Sequence, residues 1–290
     1  MRERSLDEFE SIFEQASIPV LNIANVDLAR VSAVVKGDPL DESILDLASH
    51  LKTRFGSEVR VYRSTGADAD TVFAAARKRS LSPAEEPFNS TAELVGQVSI
   101  ERSQLVLFPE PADEAARTID IDHLVQGAAP PVLLVRSPVD KPADVFGKIL
   151  HSLTGNFQQT QNFAHSFTLA ESGGVLLLLH TVTSDELADV RDALQVSPDI
   201  ADEEGDELLE SMAHHGERFL KAVVAASRRR SFDVGYRILI GDVVSIVQQE
   251  LEIGDYGMFV VGSHREGHSY LGASDYQLMH VVRGIPVLAL

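Results

Sequence analysis

The sequence predicts an α/β protein made of two doubly wound parallel sheets, and three observations predict it. Short apolar runs alternate along the chain with stretches of helical periodicity, the pattern of a parallel sheet with helices on both faces. The run Val175 to Leu179 is five aliphatic residues in a row, as expected of a strand covered on both faces. The same order of elements also occurs twice. Pro131-Val132-Leu133-Leu134-Val135 and Pro286-Val287-Leu288-Ala289-Leu290 each close a series, and each lies about 25 residues after another strand-like run, Leu105 to Phe108 and Met258 to Val261. Each series opens on a strand ending in glycine, Val31 to Gly37 and Lys148 to Gly155. The recurrence implies an internal duplication, with halves at 1–137 and 145–290 and a linker from Arg136 to Pro142.

The first half begins with an added helix, for which Ser5 and Glu8 form a capping box ahead of Phe9, Ile12 and Phe13. The strand Val31 to Val35, a helix carrying Ile44, Leu45, Ala48 and Leu51, and the strand Val59 to Tyr62 follow. From Thr71 to Asn89 the chain carries Pro83 and Pro87 and shows no assignable element. The first series is about 37 residues shorter than the second, enough for roughly one helix and one strand, so an element is expected to be missing there.

The second half is more regular. Lys148 to Leu153 reads as a strand, and a helix from about Asn156 to Ala170 places Phe157, Phe163, Ala164 and Phe167 largely on one face before Gly173-Gly174 ends it. Asp202-Glu203-Glu204 opens a long helix through Leu208, Phe219, Val223 and Ala226 that ends on Arg228-Arg229-Arg230, a charge order that suits the helix dipole. Tyr236 to Ile240 is the next strand. Asp242 then caps a helix with Val243, Ile246, Val247 and Leu251 at helical spacing, and Met258 to Val261 is the fourth strand.

Composition narrows the chemistry. At 290 residues, with 44% apolar and 24% charged residues, the chain matches a globular protein with one or two cores. No run of eighteen apolar residues and no apolar segment behind Met1-Arg2-Glu3-Arg4 occur, so neither a membrane span nor a signal peptide is expected. The absence of cysteine excludes disulfides, thiolate metal sites and thiol nucleophiles, and a cytoplasmic address is expected. A net charge of −19 with no tryptophan and 6% aromatic residues argues against nucleic acid, which needs counterion release by Lys and Arg and stacking platforms.

No catalytic constellation stands out. His214 and His215 are adjacent and diverge on a helix, and His264 with His268 lacks a third metal ligand. Gly262-Ser263-His264 lacks the flanked serine of a nucleophile elbow. The acidic stretches Asp185-Glu186 and 202–207 read as helix starts, and Ser172-Gly173-Gly174 as a helix-ending turn. No metal site is expected.

Ile240-Gly241-Asp242-Val243 and Val260-Val261-Gly262-Ser263-His264, with their order and spacing, give residues 145–290 a resemblance to a universal stress protein domain. Residues 18–137 resemble a reduced copy, so the whole chain resembles the tandem form. The resemblance implies two flavodoxin-like (Rossmann-like) domains packed as an internal pseudo-dimer, with the closing strands 131–135 and 286–290 burying each other's edges. It implies a stress-response binding or regulatory module and no enzyme. In the ATP-binding branch, the loop after the fourth strand reads Gly, two residues, Gly, nine residues, Gly and then Ser or Thr, so that backbone N–H groups reach phosphates.

Here Gly262 matches the first position, Arg265 replaces the second glycine, and Gly272 and Ser274 lie nearer than the pattern places the closing pair. Thr154 replaces an aspartate that meets adenine. The implied remnant pocket for ATP or another adenine nucleotide is Thr154, Gly241, Gly262, Arg265, Gly272 and Ser274, with His264 and His268 as further anion contacts. In the first half, Pro109-Glu110-Pro111-Ala112-Asp113-Glu114 replaces the glycine loop and Lys36 the aspartate, so no nucleotide is expected there. Two alternatives remain: a nucleotide-free scaffold that works through an unknown protein partner, and a weak ATPase without an identifiable water-activating residue. Homodimerisation beyond the intrachain pair stays open, and no membrane contact is expected.

Overall fold

The computed structural model describes residues 21–110, 121–154, 159–183, 202–265 and 268–290. The expected helix around Ser5, the loop after Pro111 and Phe157 lie outside these residues. The first half contains β1 (Arg30–Val35), α1 (Asp41–Phe55), β2 (Glu58–Arg63), α2 (Ala69–Lys78), β3 (Ser82–Pro83), α3 (Thr91–Ile100), β4 (Leu105–Pro109), α4 (Ile121–Gly127) and β5 (Val132–Val135). The second contains α5 (Pro142–Gly147), β6 (Lys148–Leu153), a 3₁₀ turn (Thr160–Phe163), α6 (Ala164–Leu169), β7 (Val175–Val182), α7 (Asp202–Ser227), β8 (Asp233–Ile240), α8 (Val243–Ile253) and β9 (Met258–Val261). A hairpin, β10 (Ser263–Arg265) with β11 (His268–Tyr270), then leads to α9 (Ala273–Val281) and β12 (Val287–Ala289).

Ten strands form one sheet in the order β3-β2-β1-β4-β5-β12-β9-β6-β7-β8. Read from either end, each half has the same winding, and every neighbouring pair is parallel except β5 with β12, where Leu134 faces Val287 and Val132 faces Ala289. The closing strands thus bury each other's edges within one chain, as their sequences predict. Because that pair is antiparallel, the carboxyl ends of one half's strands lie on the same side as the amino ends of the other's.

The period-2 alternation of strand side chains splits each run between two cores. Val31, Ala33, Leu107, Leu133, Ile149, Met258 and Leu288 pack on one face, and Val34, Val106, Phe108, Leu134, Leu150, Phe259 and Val287 on the other. Both cores cross the β5–β12 seam, and further contacts fasten it. Glu171 lies 2.7 Å from His50 and 3.1 Å from Arg54, whose guanidinium also donates to the Leu169 carbonyl at 2.7 Å.

Three expectations change. The first half keeps five strands: its third, β3, is two residues long, paired through Arg60 with Ser82 and Val61 with Pro83, and proline is tolerated because β3 is the edge of the sheet. The helix expected from Asn156 starts as a 3₁₀ turn at Thr160 and becomes α-helical only at Ala164. The arginines after α7 do more than face its dipole, since Arg230 donates to Asn25 Oδ1 at 2.5 Å and to the Ile23 carbonyl, holding the leading segment against the second half.

Candidate functional site

In the second half β6 and β9 are neighbours, so Thr154 after β6 and Gly262 after β9 leave the sheet side by side. Gly262 has φ +86, a left-handed turn that a side chain would strain. Its glycine is therefore explained by backbone geometry. The next residues are a hairpin with Ser263 opposite Tyr270, His264 opposite Ser269 and Arg265 opposite His268. The expected open loop is thus replaced by backbone groups that pair with one another. Arg265 and His268 are register partners across this hairpin, and the side chains of both, with that of His264, lie outside the described residues.

Gly272 is the N-cap of α9 and Ser274 sits in its first turn. The residue that organises this helix end is Asp275. Its Oδ2 accepts the Gly272 N–H at 2.9 Å and its Oδ1 accepts the Thr154 hydroxyl at 2.7 Å. Asp275 is buried, and burial raises its carboxyl above the usual range against the lowering effect of those two donors. A carboxylate of the chain itself therefore sits at a helix N-terminus, where an anion would otherwise be favoured.

Gly241 does not join this group. It follows β8, two strands beyond β6, about 10 Å away in the sheet. With φ +146, its N–H donates to the Val182 carbonyl at 3.0 Å. Asp242 caps α8 by accepting the Ser245 N–H at 2.8 Å, as its sequence position predicts.

Sequence reasoning missed the equivalent feature of the first half. After β1 the chain turns through Gly37 at φ +80, and the N–H groups of Lys36, Gly37 and Asp38 all donate to the Asp41 carboxylate, at 3.0, 2.8 and 3.2 Å. Successive backbone donors of this kind make an anion-binding concavity, and here Asp41 fills it. The available signal was an aspartate starting a helix four residues after a strand-ending glycine.

Glu110 also departs from expectation. It does not present charge to a phosphate loop. It is fully buried, with Oε2 2.7 Å from Arg136 Nε and 2.6 Å from Nη2, and Oε1 2.8 Å from Arg283 Nη1. Arg136 also donates to the Val282 carbonyl, so this ion cluster joins the ends of β4 and β5 to the segment after α9. Lys36 places its ammonium 5.0 Å above the Phe108 ring. Among the described residues no three His, Asp or Glu side chains are grouped as metal ligands, and no helix is long and apolar enough to cross a membrane.

Solved structures share this architecture over nearly the whole chain. A universal stress protein from Pseudomonas aeruginosa UCBPP-PA14 superposes with a TM-score of 0.58 at 14% identity, covering 91% of this chain and 93% of that one. Another, from Archaeoglobus fulgidus DSM 4304, gives 0.56 at 12% identity over 89% and 94%. This chain has the universal stress protein fold. No family model and no curated protein matches its sequence.

Proposed function

We propose that this chain is a non-catalytic binding and regulatory module of the universal stress protein type that works without a bound nucleoside triphosphate. The observation that carries the reading is the Asp275 carboxylate, seated between the Gly272 N–H and the Thr154 hydroxyl. A phosphate there would have to displace a carboxylate already hydrogen-bonded to both donors, and would meet its negative charge if it did not. The hairpin after Gly262 and the Asp41-filled turn of the first half support the same reading, because both consume backbone donors that a phosphate would use. The tandem arrangement fits such a module, since one chain supplies both sides of the β5–β12 seam.

Thermal unfolding with ATP, ADP and AMP tests the proposal. Wild type is expected to melt at the same temperature with and without millimolar nucleotide, whereas any ligand favouring the native state would raise it. Asp275→Ser is expected to lose about 1–3 kcal/mol by unpairing the buried donors, and inorganic phosphate is expected to restore part of the loss. Stabilisation of wild type by ATP that disappears in Gly262→Val would overturn the proposal. It would establish the second reading, an adenine-nucleotide pocket at Thr154, Gly262, Gly272 and Ser274, for which the left-handed Gly262 turn beside Thr154 is the favouring observation.

A further inference from the structure

Between the two halves, with neither Thr154 nor Asp275 among its described lining residues, lies a cleft of about 480 Å³, within the size range of small-molecule sites, about 300–1,000 Å³. Val98 and Arg102 at the end of α3 and Ala129 and Pro131 ahead of β5 form one wall, and Ala164 and His165 of α6 form the other. The cleft exists only because β5 and β12 hold the halves together. Most of its lining is apolar, and Arg102 is the one arginine, lysine or carboxylate among the described lining residues.

Arg102 occupies an unusual backbone position. It follows the C-cap of α3 with φ +52. Its N–H donates to the Ser99 carbonyl at 3.1 Å, and the Ser103 N–H donates to the Val98 carbonyl at 3.2 Å. This is the helix-ending motif that favours glycine at the Arg102 position. A strained, long cationic residue there is a feature associated with function. The Arg102 guanidinium has no hydrogen-bond or ion-pair partner among the described residues, in a protein whose net charge of −19 supplies many carboxylates elsewhere.

His151, a neighbour of the lining residue His165, is fully buried, and burial followed by the nearby His165 pushes its imidazole down to about 3. Ser166 Oγ donates to the Phe163 carbonyl and lies 3.0 Å from His151 Nδ1, so Nδ1 carries the proton and Nε2 is a bare acceptor. The cleft is a largely apolar slot with exposed Arg102 as the one arginine, lysine or carboxylate among its described lining residues.

We infer that this cleft binds a small amphipathic anion, an apolar body of drug size carrying one carboxylate or sulfonate, with Arg102 as its anion contact. None of the six residues of the expected nucleotide pocket is among the described lining residues of this cleft.

The test is fluorescence titration of the intact chain with two probes. One is 8-anilinonaphthalene-1-sulfonate and the other is its uncharged relative N-phenyl-1-naphthylamine. Wild type is expected to bind the sulfonate more tightly than the neutral probe despite its acidic surface. Arg102→Gly is expected to weaken the sulfonate about tenfold, the loss of one charge-assisted contact. It should leave the neutral probe unchanged and keep or raise the melting temperature, since glycine suits that backbone position. Ala164→Trp, which fills the slot, is expected to abolish both, and Ala129→Phe on the opposite wall serves if the first variant melts early. Absence of sulfonate binding by wild type, equal binding by Arg102→Gly, or full binding of either probe by both cavity-filling variants would overturn the inference.

Discussion

Glu110→Ala should be among the most damaging single substitutions outside the apolar core. The carboxylate is fully buried and makes three contacts of 2.6–2.8 Å with Arg136 and Arg283. Removing it takes from the Arg136 guanidinium, whose side chain is 2% exposed, the carboxylate that both its Nε and Nη2 contact. Deleting one partner of a buried ion pair costs about 3–5 kcal/mol, because the other charge is left buried. Arg283, 39% exposed, can turn to water and adds little to that loss. Against a typical total stability of about 5–15 kcal/mol, the variant should melt many degrees lower, on the order of 10 °C at about 2–4 °C per kcal/mol for a chain of this size class.

Differential scanning calorimetry measures this directly, and a second variant isolates the cause. Glu110→Leu combined with Arg136→Met removes both charges and should recover most of the loss, since apolar replacement of a buried pair is often neutral or better. The pH dependence supplies a further check. Burial raises the Glu110 carboxyl, but the Arg136 charge and the hydrogen bonds from Arg283 and Arg136 outweigh it and leave the group below its ordinary value of 4.5. Its contribution is therefore fully present above about pH 4.5 and is lost as pH falls through the lower folded value. Glu110→Gln should lack that acid loss. A cost below about 1 kcal/mol for Glu110→Ala, or a double variant as unstable as the single one, would refute the argument that unpaired buried charge is the cause.

Two other outcomes follow from the same structure. Burial pushes His151 down to about 3 and His180 down to about 4. As pH falls below 6.5 the unfolded chain therefore binds protons that the native chain does not. Stability should decline by up to about 1.4 kcal/mol per pH unit for each group, and an acid limb in melting temperature that is the same for His180→Gln and wild type would contradict this. Gly257→Ala should also be strongly destabilising, because a Cβ there would lie 2.0 Å from the Asp144 carbonyl oxygen, a backbone atom that cannot swing aside. The expected loss is about 3 kcal/mol or more, at the upper end for overpacking, and an unchanged urea midpoint would show that α5 shifts without cost.

What the sequence displayed and what it hid divide along the range of the interactions. Strand runs such as Leu105 to Phe108, caps such as Asp242 and the matching closing strands were legible because each is written in consecutive residues. β3 was not, since a two-residue edge strand containing Pro83 has neither length nor periodicity to reveal it. Glu110 looked like exposed negative charge because its partners lie 26 and 173 residues away. Of the six residues expected to form the nucleotide pocket, Thr154 and Gly272 are joined through Asp275, and Gly262 leaves the sheet beside Thr154. Gly241 stands apart because strand order, invisible in the chain, puts β7 between β8 and β6. The cleft at Arg102 was hidden for the same reason, as its two walls come together only through the β5–β12 pair.

Three carboxylates occupy donor groups at the strand ends of this fold. Asp41 takes three N–H donors after β1, Asp275 takes the first-turn donor of α9 and the hydroxyl after β6, and Glu110 takes two arginines after β4. In each case donors suited to an anion are satisfied by an acidic side chain of the chain itself, with no loss of association entropy. Such tethered groups are always present, so an external anion must outcompete a ligand at high effective concentration. Arg102 is the contrast, a cation held in strained backbone at a cleft without an acid assigned to it. Glycine would adopt that backbone conformation without strain, whereas the arginine there gives the seam between the halves a positive charge.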